Sequence, residues 1–354
     1  MMSIAIIGSG ISGLGAAYFL HKNYSITIYE KNAYVGGHSN TVTVDEEGKA
    51  VAIDTGFMVF NKVTYPNLIR LFDKLSVPIK QTDMSFSAQN CAEGIEFAGA
   101  SFDRLFGQRK NLFSLRYWRM LMQLNRFNNE ANAALSDSNL GNLTLSDYVK
   151  QRGYGQDFLN WYLVPMSSAL WSAPPEKILS FPALSLLRFF HNHGFLGMDT
   201  QHQWWTLVDG AKSYVSRLLS LLDQHIIRLQ DKVLSVKREE SKVRIFSEDG
   251  SSKTFDKAIF ACHADQALAA LEDADQLERS LLSAFQYQNN IATLHTDSSV
   301  MPKSRGCWAS WNYRLDNNKT QANSASTHYW MNSLQQVSKK TDYFVSINGE
   351  HLIK

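Results

Sequence analysis

The amino-acid sequence predicts an α/β fold in which a nucleotide-binding domain is interrupted by a second domain of mixed α+β structure. Three observations support this prediction. Two short apolar strands flank a glycine-rich turn near the N-terminus, further strands follow residue 204, and a helix-rich stretch separates the two blocks. We assign residues 1–80 and 204–285 to the nucleotide-binding domain, which is therefore discontinuous, and residues 81–203 and 286–354 to the second domain.

The N-terminal residues have the pattern of a β-α-β dinucleotide-binding unit. An apolar run, Ser3–Ile7, leads into the turn Gly8-Ser9-Gly10-Ile11-Ser12-Gly13. In such a turn Gly8 permits the sharp exit from the strand, Gly10 lets the backbone approach a pyrophosphate, and Gly13 lets the helix pack closely on the sheet. The phosphates would lie at the helix N-terminus, where free N–H groups and the helix dipole favour negative charge.

Glu30 directly follows the second apolar strand, Ser25–Tyr29, and is placed to accept hydrogen bonds from the ribose hydroxyls of a dinucleotide. A carboxylate at this position repels a 2′-phosphate, which counts against NADP. A glycine-rich turn without a ligand is the alternative interpretation. It is disfavoured because strand, turn, helix, strand and acid all occur in the expected order.

Composition and charge exclude several classes of protein. The 354-residue chain has a formal net charge of +2, which gives no reason to expect nucleic acid as a partner. Hydrophobic residues make up 44% and charged residues only 19%, which favours a large core and an apolar site. No apolar run approaches the length needed to span a bilayer. Cys91, Cys262 and Cys307 lack metal-ligand spacing, so we expect free thiols, no metal site and a cytoplasmic protein.

A second glycine element, Gly36-Gly37-His38, follows Glu30 and precedes a predicted β-hairpin and the phrase Asp54-Thr55-Gly56-Phe57. In these features the sequence resembles the flavoprotein superfamily of flavin amine oxidases, protoporphyrinogen oxidases and phytoene desaturases. In those families a glycine doublet after the ribose-binding acid brings the chain over the FAD pyrophosphate and ribityl group. His38 stands where many relatives have arginine. An NAD-dependent dehydrogenase without flavin is the alternative, but it would not be expected to carry this second element.

Further phrases narrow the resemblance to a bacterial group of FAD-binding oxidoreductases within that superfamily; they are Asp54–Asn61, Pro165–Ser172, Trp311–Tyr313 and Tyr329–Asn332. The resemblance implies a Rossmann-like FAD-binding domain with an inserted α+β substrate domain. Val233 matches a residue that contacts the adenine side of FAD through its backbone, although an ordinary β-meander is the alternative for the strands around it. The cofactor-binding residues implied in this way are Gly8, Gly10, Ile11, Ser12, Gly13, Glu30, Lys31, Gly36, Gly37, His38, Thr55, Gly56 and Val233.

The function expected from this resemblance is FAD-dependent hydride transfer from an apolar, fatty-acyl or other lipid-like substrate, resulting in dehydrogenation or desaturation. Trp311, Tyr313 and Tyr329 are candidates for lining an apolar pocket against the isoalloxazine ring. His38, Trp311 and Tyr329 are the candidate catalytic residues, His38 as a proton acceptor or as a contact of the pyrophosphate. Oxidation of an amine, as in the flavin amine oxidases, is the alternative reaction.

The stretch from Arg104 to Arg126 carries six basic residues and no acidic residue, interleaved with apolar side chains. A basic amphipathic helix of this kind can lie on an anionic membrane surface, which would give a cytoplasmic protein peripheral membrane contact. The same pattern is expected of a helix that packs on its own domain and exposes a solvated basic face.

The chain ends at Asn348–Lys354, before the glycine-rich segment that closes over the flavin in the superfamily. We therefore expect a chain that is C-terminally truncated relative to its relatives, with the final FAD-binding segment missing. A non-catalytic nucleotide-binding protein, or a fragment that needs a partner chain, is the alternative that follows from this expectation.

Overall fold

A computed structural model describes residues 1–137, 139–197, 200–316 and 325–354. The strands are β1 (Ser3–Ile7), β2 (Ser25–Tyr29), β3 (Thr41–Glu46), β4 (Lys49–Asp54), β5 (Phe60–Asn61), β6 (Ile79–Thr82), β7 (Phe86–Asn90), β8 (Ile95–Ala98), β9 (Trp204–Leu207), β10 (Ile227–Arg228), β11 (Val233–Glu239), β12 (Lys242–Ser247), β13 (Ser252–Phe255), β14 (Lys257–Phe260), β15 (Ala292–His295), β16 (Trp311–Leu315), β17 (Ala325–Trp330) and β18 (Phe344–Ile347). The α-helices are α1 (Ile11–Leu20), α2 (Pro66–Lys74), α3 (Phe102–Leu105), α4 (Leu115–Ala134), α5 (Leu145–Arg152), α6 (Gln156–Phe158), α7 (Val164–Trp171), α8 (Pro175–Leu179), α9 (Ala183–Asn192), α10 (Lys212–Ser220), α11 (Ala264–Ala270), α12 (Gln276–Ser283) and α13 (Met331–Leu334).

The chain forms two compact units. Unit 1 contains residues 1–58, 70–78 and 207–289, and unit 2 contains residues 59–69, 79–206 and 290–354. Residues 59–69, which the sequence analysis places in the first nucleotide-binding segment, belong to unit 2. The physical reason is a pairing between strands far apart in sequence, because β5 pairs with β9 within unit 2.

Unit 1 is built on a four-stranded parallel sheet with the strand order β10-β2-β1-β14. Because β1 and β2 are parallel, the chain must cross over between them, and α1 provides this connection. Leu14 and Ala17 of α1 are buried, and Gly13 lies against the side chain of Ile6. The predicted β-α-β unit and the α/β fold class are confirmed.

The later strands of unit 1 separate into two groups. Only β10 and β14 join the parallel sheet, whereas β11, β12 and β13 form an antiparallel meander of their own. Ile6 of β1 lies against α1, so its neighbours Ala5 and Ile7 point to the opposite face of the sheet, because side chains alternate along a strand. The meander packs on this opposite face. The contact buries Ala5, Ile7, Tyr29, Val236, Ile245 and Phe255.

Unit 2 is built on a six-stranded sheet with the order β15-β18-β17-β16-β7-β8, in which only β16 and β7 are parallel within the described pairs. The register places all four charged or imidazole side chains of these strands on one face, here called the polar face: Glu96, His295, Arg314 and His328. The opposite face, here called the apolar face, presents Phe86, Ala88, Asn90, Ile95, Phe97, Leu294, Trp311, Tyr313, Leu315, Thr327, Tyr329, Val345 and Ile347.

Helices cover the apolar face and form the main core of unit 2. Trp311 and Tyr313 pack in one cluster with Tyr117 and Phe127 of α4 and with Phe190 of α9. The segment between β15 and β16 instead packs on the polar face, where its apolar side chains surround Phe344. None of the described helices combines the length and the hydropathy that crossing a membrane requires.

Candidate functional site

The loop between β1 and α1 is shaped by two glycines that allow close backbone packing. Gly8 has φ +105°, which an L side chain rarely adopts, and its N–H donates to the Tyr29 carbonyl at 2.9 Å. A Cβ on Gly13 would lie 1.9 Å from the carbonyl oxygen of Gly8. The roles expected of these two glycines, a sharp turn and close helix packing, match this geometry.

Gly10 is different, because the space beside it is open. It precedes α1 with φ −66°, and a Cβ on Gly10 would have the Gly36 carbonyl oxygen as its nearest neighbour, at 4.0 Å. Among the described residues no side chain caps the helix at this position, so the N–H groups of Ile11 and Ser12 face the opening without a capping partner. Backbone donors at a helix N-terminus beside an open glycine suit a phosphate group.

The second glycine element lies directly against this loop. Gly36 and Gly37 have φ values of +115° and +56°, and the Gly36 N–H donates to the Ser9 carbonyl at 3.0 Å. A Cβ on Gly37 would lie 3.2 Å from the Cα of Gly10. Two glycine segments thus meet through their backbones and leave a cradle without side chains between β1 and the chain that follows β2.

Glu30 is held rigidly at the end of β2 and is only 5% exposed. Its Oε2 accepts hydrogen bonds from the Ser9 N–H at 3.0 Å and the Ser9 hydroxyl at 2.6 Å, and its Oε1 accepts from the Asn32 N–H at 2.9 Å. Charge-assisted hydrogen bonds of this kind orient a carboxylate strongly. Lys31, the next residue, is exposed.

Replacing Glu30 with glutamine is expected to weaken both the fold and nucleotide binding. Both oxygens of Glu30 accept hydrogen bonds, so the NH₂ group of glutamine would face a donor of Ser9 or Asn32. We expect this conflict to lower the free energy of unfolding by about 1–3 kcal/mol. We also expect FAD to bind about tenfold more weakly, since the ribose loses a charged acceptor. Urea unfolding and FAD titration of the apoprotein measure the two effects. Glu240→Gln, an exposed substitution in unit 1, is the control and should change neither.

Thr55 and Gly56 are positioned by backbone contacts with the segment that follows the glycine pair. The Thr55 N–H donates to the Asn40 carbonyl at 2.9 Å, and a Cβ on Gly56 would lie 2.1 Å from the His38 carbonyl oxygen. The neighbouring Asp54 is buried, and its Oδ1 accepts from the Ala211 N–H at 2.8 Å at the start of α10. These contacts hold the chain after β4 beside the cradle.

His38 is an exposed ring at one end of an aromatic stack. Its ring centroid lies 5.6 Å from that of His263, which in turn lies 4.2 Å from that of Tyr287 with an interplanar angle of 5°. Sequence reasoning did not find His263 or Tyr287. His263 was accessible in principle, because it follows β14 and the carboxyl ends of adjacent parallel strands meet at one edge of the sheet.

Val233 begins β11. Just before it, the chain forms backbone hydrogen bonds with Glu30 and Asn32. The Asp231 N–H donates to the Glu30 carbonyl at 2.9 Å, and the Gln230 N–H donates to the Asn32 carbonyl at 3.0 Å. The β11–β12 register also shifts between Val233 and Ser235. Val233 thus follows by two residues a backbone contact with Glu30, the acid expected to bind the ribose.

The three aromatic candidates lie in unit 2, on the apolar face. Trp311 and Tyr329 are cross-strand partners with ring centroids 6.4 Å apart and an interplanar angle of 7°. Trp311 and Tyr313 are buried in the helical core. Burial raises the pKa of Tyr313 and raises that of Tyr329 to about 12, so both phenols stay neutral near pH 7.

The residues of unit 1 fit the FAD that the glycine motifs imply. The cradle at Gly10 and Gly37 is free of side chains, backbone N–H groups open toward it from α1, and Glu30 supplies a fixed acceptor at the end of β2. The pyrophosphate would be held by the first two elements and the adenosine ribose by the third.

Comparison with known proteins identifies the fold and the family. The model of the flavin containing amine oxidoreductase family matches residues 11–316 of the 354. Similar solved structures include a putrescine oxidase A394C mutant, with 14% identity and a TM-score of 0.68 over 98% of this chain and 75% of that one. Cyclohexylamine oxidase from Brevibacterium oxydans IH-35A shows 19% identity and a TM-score of 0.67 over 99% and 77%. A CLA-producing fatty acid isomerase from P. acnes shows 15% identity and a TM-score of 0.63 over 98% and 77%.

The family match includes Gly13, Glu30, Gly36 and Gly37 as well as the aromatic strand β16, and the fold matches the putrescine oxidase and cyclohexylamine oxidase structures over nearly the whole chain. The chain belongs to the flavin containing amine oxidoreductase family and is an FAD-dependent oxidoreductase.

Proposed function

We propose that this enzyme oxidises an apolar, fatty-acyl or other lipid-like substrate by hydride transfer to FAD. The observation that carries the proposal is the separation of charge in unit 2. The apolar face of the six-stranded sheet presents aromatic, aliphatic and neutral polar side chains, whereas Glu96, His295, Arg314 and His328 all lie on the other face. At Leu315, Tyr329 and Ile347 this face is only partly buried, and a lining without a carboxylate there suits an uncharged chain better than an ammonium ion.

The aromatic side chains of this face provide packing surface for a substrate and exclude water from it. Trp311 and Tyr329 form a stacked pair, and the raised pKa values of Tyr313 and Tyr329 leave both phenols neutral near pH 7. Neither phenol can therefore balance a cationic substrate or take a proton as a base. FAD, when bound, supplies a hydride acceptor, and the protein supplies orientation and a dry environment.

The comparisons alone do not choose between substrate classes, because the similar structures include two named for amine oxidation and one named for a fatty acid reaction. The uncharged face favours the second class.

The test is anaerobic bleaching of the flavin absorbance by a panel of compounds. We expect fatty acids or fatty-acyl esters to reduce the flavin, while putrescine and cyclohexylamine leave it oxidised. Reduction by either amine and by none of the acyl compounds would overturn the proposal in favour of amine oxidation. Reduction by neither class would reject the acyl substrate as well, provided that dithionite bleaches the same sample.

Variants of Tyr329 test whether its role is packing or proton transfer. Tyr329→Phe should leave the reduction rate within about twofold, since a phenol that stays protonated cannot take a proton from the substrate as a base. Tyr329→Ser should weaken substrate binding about tenfold, because apolar contact area is lost. A large loss of rate with an unchanged Kd in Tyr329→Phe would instead give the hydroxyl a catalytic role.

A further inference from the structure

Exposed apolar side chains in unit 2 are concentrated in one short segment. Of the eight large hydrophobic residues of unit 2 that are exposed in the described ranges, Val63 and Ile291 lie elsewhere and the other six lie between residues 102 and 122. These six, here called the insertion patch, are Phe102, Leu112, Phe113, Leu115, Trp118 and Met122. Scattered single residues would need no explanation, but a cluster of this size marks an interaction surface.

Helix α4 has two apolar faces, and only one of them is used by the core. Tyr117, Met120 and Phe127 are buried, as expected for the inner face of an amphipathic helix. Leu115, Trp118 and Met122 recur at the same helical spacing on the solvent side, where Leu115 is 83% exposed and Met122 is 63% exposed. Leu115 and Met122 of this second apolar face are therefore left largely to solvent.

The segment before α4 extends this outer face and is tied firmly to the helix. The Trp118 ring lies 5.0 Å from that of Phe106, and its Nε1–H donates to the Leu112 carbonyl at 2.9 Å. The Tyr117 hydroxyl donates to the Leu105 carbonyl at 2.7 Å. Phe113, at the tip between the segment and α4, is 90% exposed. The patch is thus a supported projection rather than a loose chain.

Basic residues outnumber acidic residues around the patch. From Arg104 to Arg126 the chain carries six basic residues and no acidic residue. Arg109 pairs with Asp103, and Arg116 pairs with Glu93 and Asp157. Lys110 and Arg119 are exposed and form no ion pair with the described residues. These two cations are available to the phosphate groups of lipids, where each contributes about 1 kcal/mol near an anionic surface.

We propose that the insertion patch docks unit 2 on an anionic phospholipid bilayer, with Phe113 and Leu115 entering the boundary between headgroups and acyl chains. Aromatic and aliphatic tips flanked by cations are the features of an interfacial membrane segment. A second copy of the chain fits less well. A two-fold contact through this patch would bring Lys110 and Arg119 toward the same cations of the partner. The docking does not depend on which substrate the enzyme oxidises.

Vesicle co-sedimentation of the full chain, loaded with FAD, tests the proposal. We expect binding to vesicles of phosphatidylglycerol and phosphatidylcholine, and binding at least about tenfold weaker to pure phosphatidylcholine. The double variant Phe113→Ser with Leu115→Ser should bind the anionic vesicles about tenfold less or weaker still. Lys110→Glu with Arg119→Glu should remove the preference for anionic lipid.

The matched control is Leu277→Ser with Leu281→Ser. These leucines are 65% and 58% exposed on α12 of unit 1, beside the acidic residues Asp275 and Glu278. Because all four substituted leucine and phenylalanine side chains point to solvent, both double variants should keep the flavin spectrum and thermal midpoint of the parent. The proposal fails if the parent does not sediment with anionic vesicles, or if the Phe113/Leu115 variant sediments as the parent does. It also fails if that variant loses self-association, measured by analytical ultracentrifugation, without losing vesicle binding.

Discussion

Replacing Gly10 with alanine is expected to weaken FAD binding strongly while the protein stays folded. The backbone at Gly10 has a φ of −66°, which any residue can adopt, and a Cβ there would have its nearest neighbour at 4.0 Å. The added methyl group would instead occupy the position where the glycine motif brings a pyrophosphate against the backbone. We expect the Kd for FAD to rise about a hundredfold, or roughly 2.7 kcal/mol.

Two other glycines of the same helix provide controls with opposite expectations. Gly15→Ala places a Cβ in open space within α1, so FAD binding should not change. Gly13→Ala places a Cβ 1.9 Å from the Gly8 carbonyl oxygen, so the fold itself should be damaged. FAD titration of the apoproteins, followed by thermal unfolding, separates the three cases. If Gly10→Ala binds FAD as tightly as the parent, the pyrophosphate does not lie at this loop.

Acidification is expected to destabilise the protein between about pH 6.5 and pH 3, largely through His328. This imidazole is fully buried, with Nε2 at 2.9 Å from the Ser326 hydroxyl and Nδ1 at 2.6 Å from the Ser346 hydroxyl. Burial, with a smaller contribution from the Arg314 charge, lowers the pKa of His328 to about 3. Gly349 packs so closely that a Cβ there would lie 2.8 Å from the ring.

The direction of the effect follows from proton binding. Below its ordinary pKa of about 6.5 the histidine is protonated in the unfolded chain and neutral in the folded one, so the unfolded state binds more protons. The contribution of neutral His328 to the free energy of unfolding is fully present above that pH. It is lost progressively on acidification, and the loss has a limit of about 5 kcal/mol. His295 adds to the same trend, because burial lowers its pKa as well.

Urea unfolding midpoints at neutral pH and near pH 4.5 measure this dependence. His328→Gln keeps a neutral hydrogen-bonding side chain and removes the titrating group, so its midpoint should change much less with pH than that of the parent. His225→Gln, at an exposed position in unit 1, should keep the parent's dependence. An equal acid sensitivity in His328→Gln and the parent would show that another group is responsible.

Local sequence patterns were sufficient to predict much of unit 1. Local sequence predicts the backbone conformation at three places: the turn from Gly8 to Gly13, the strand end at Glu30 and the pair Gly36-Gly37. Glycine conformations and strand ends depend mainly on neighbouring residues. The order of these signals led to the FAD-dependent fold class that the structure and the family match confirm. The meander of β11, β12 and β13, which pairs strands adjacent in sequence, is the alternative that the sequence left open. The pairing of β10 with β2 and of β14 with β1 joins strands far apart in sequence, which no local pattern specifies.

In unit 2 the sequence determined which residue types are present, and the tertiary structure determined which of them are buried and which are exposed. The sequence showed an excess of aromatic residues and a basic, apolar stretch at 104–126, but not which side chains would be buried. Register placed Trp311 opposite Tyr329 and put the charged side chains of the six-stranded sheet on its other face. Packing buried Tyr117 and left Phe113 in solvent. Burial depends on contacts between residues far apart in sequence, so no local pattern of hydrophobicity could have fixed it.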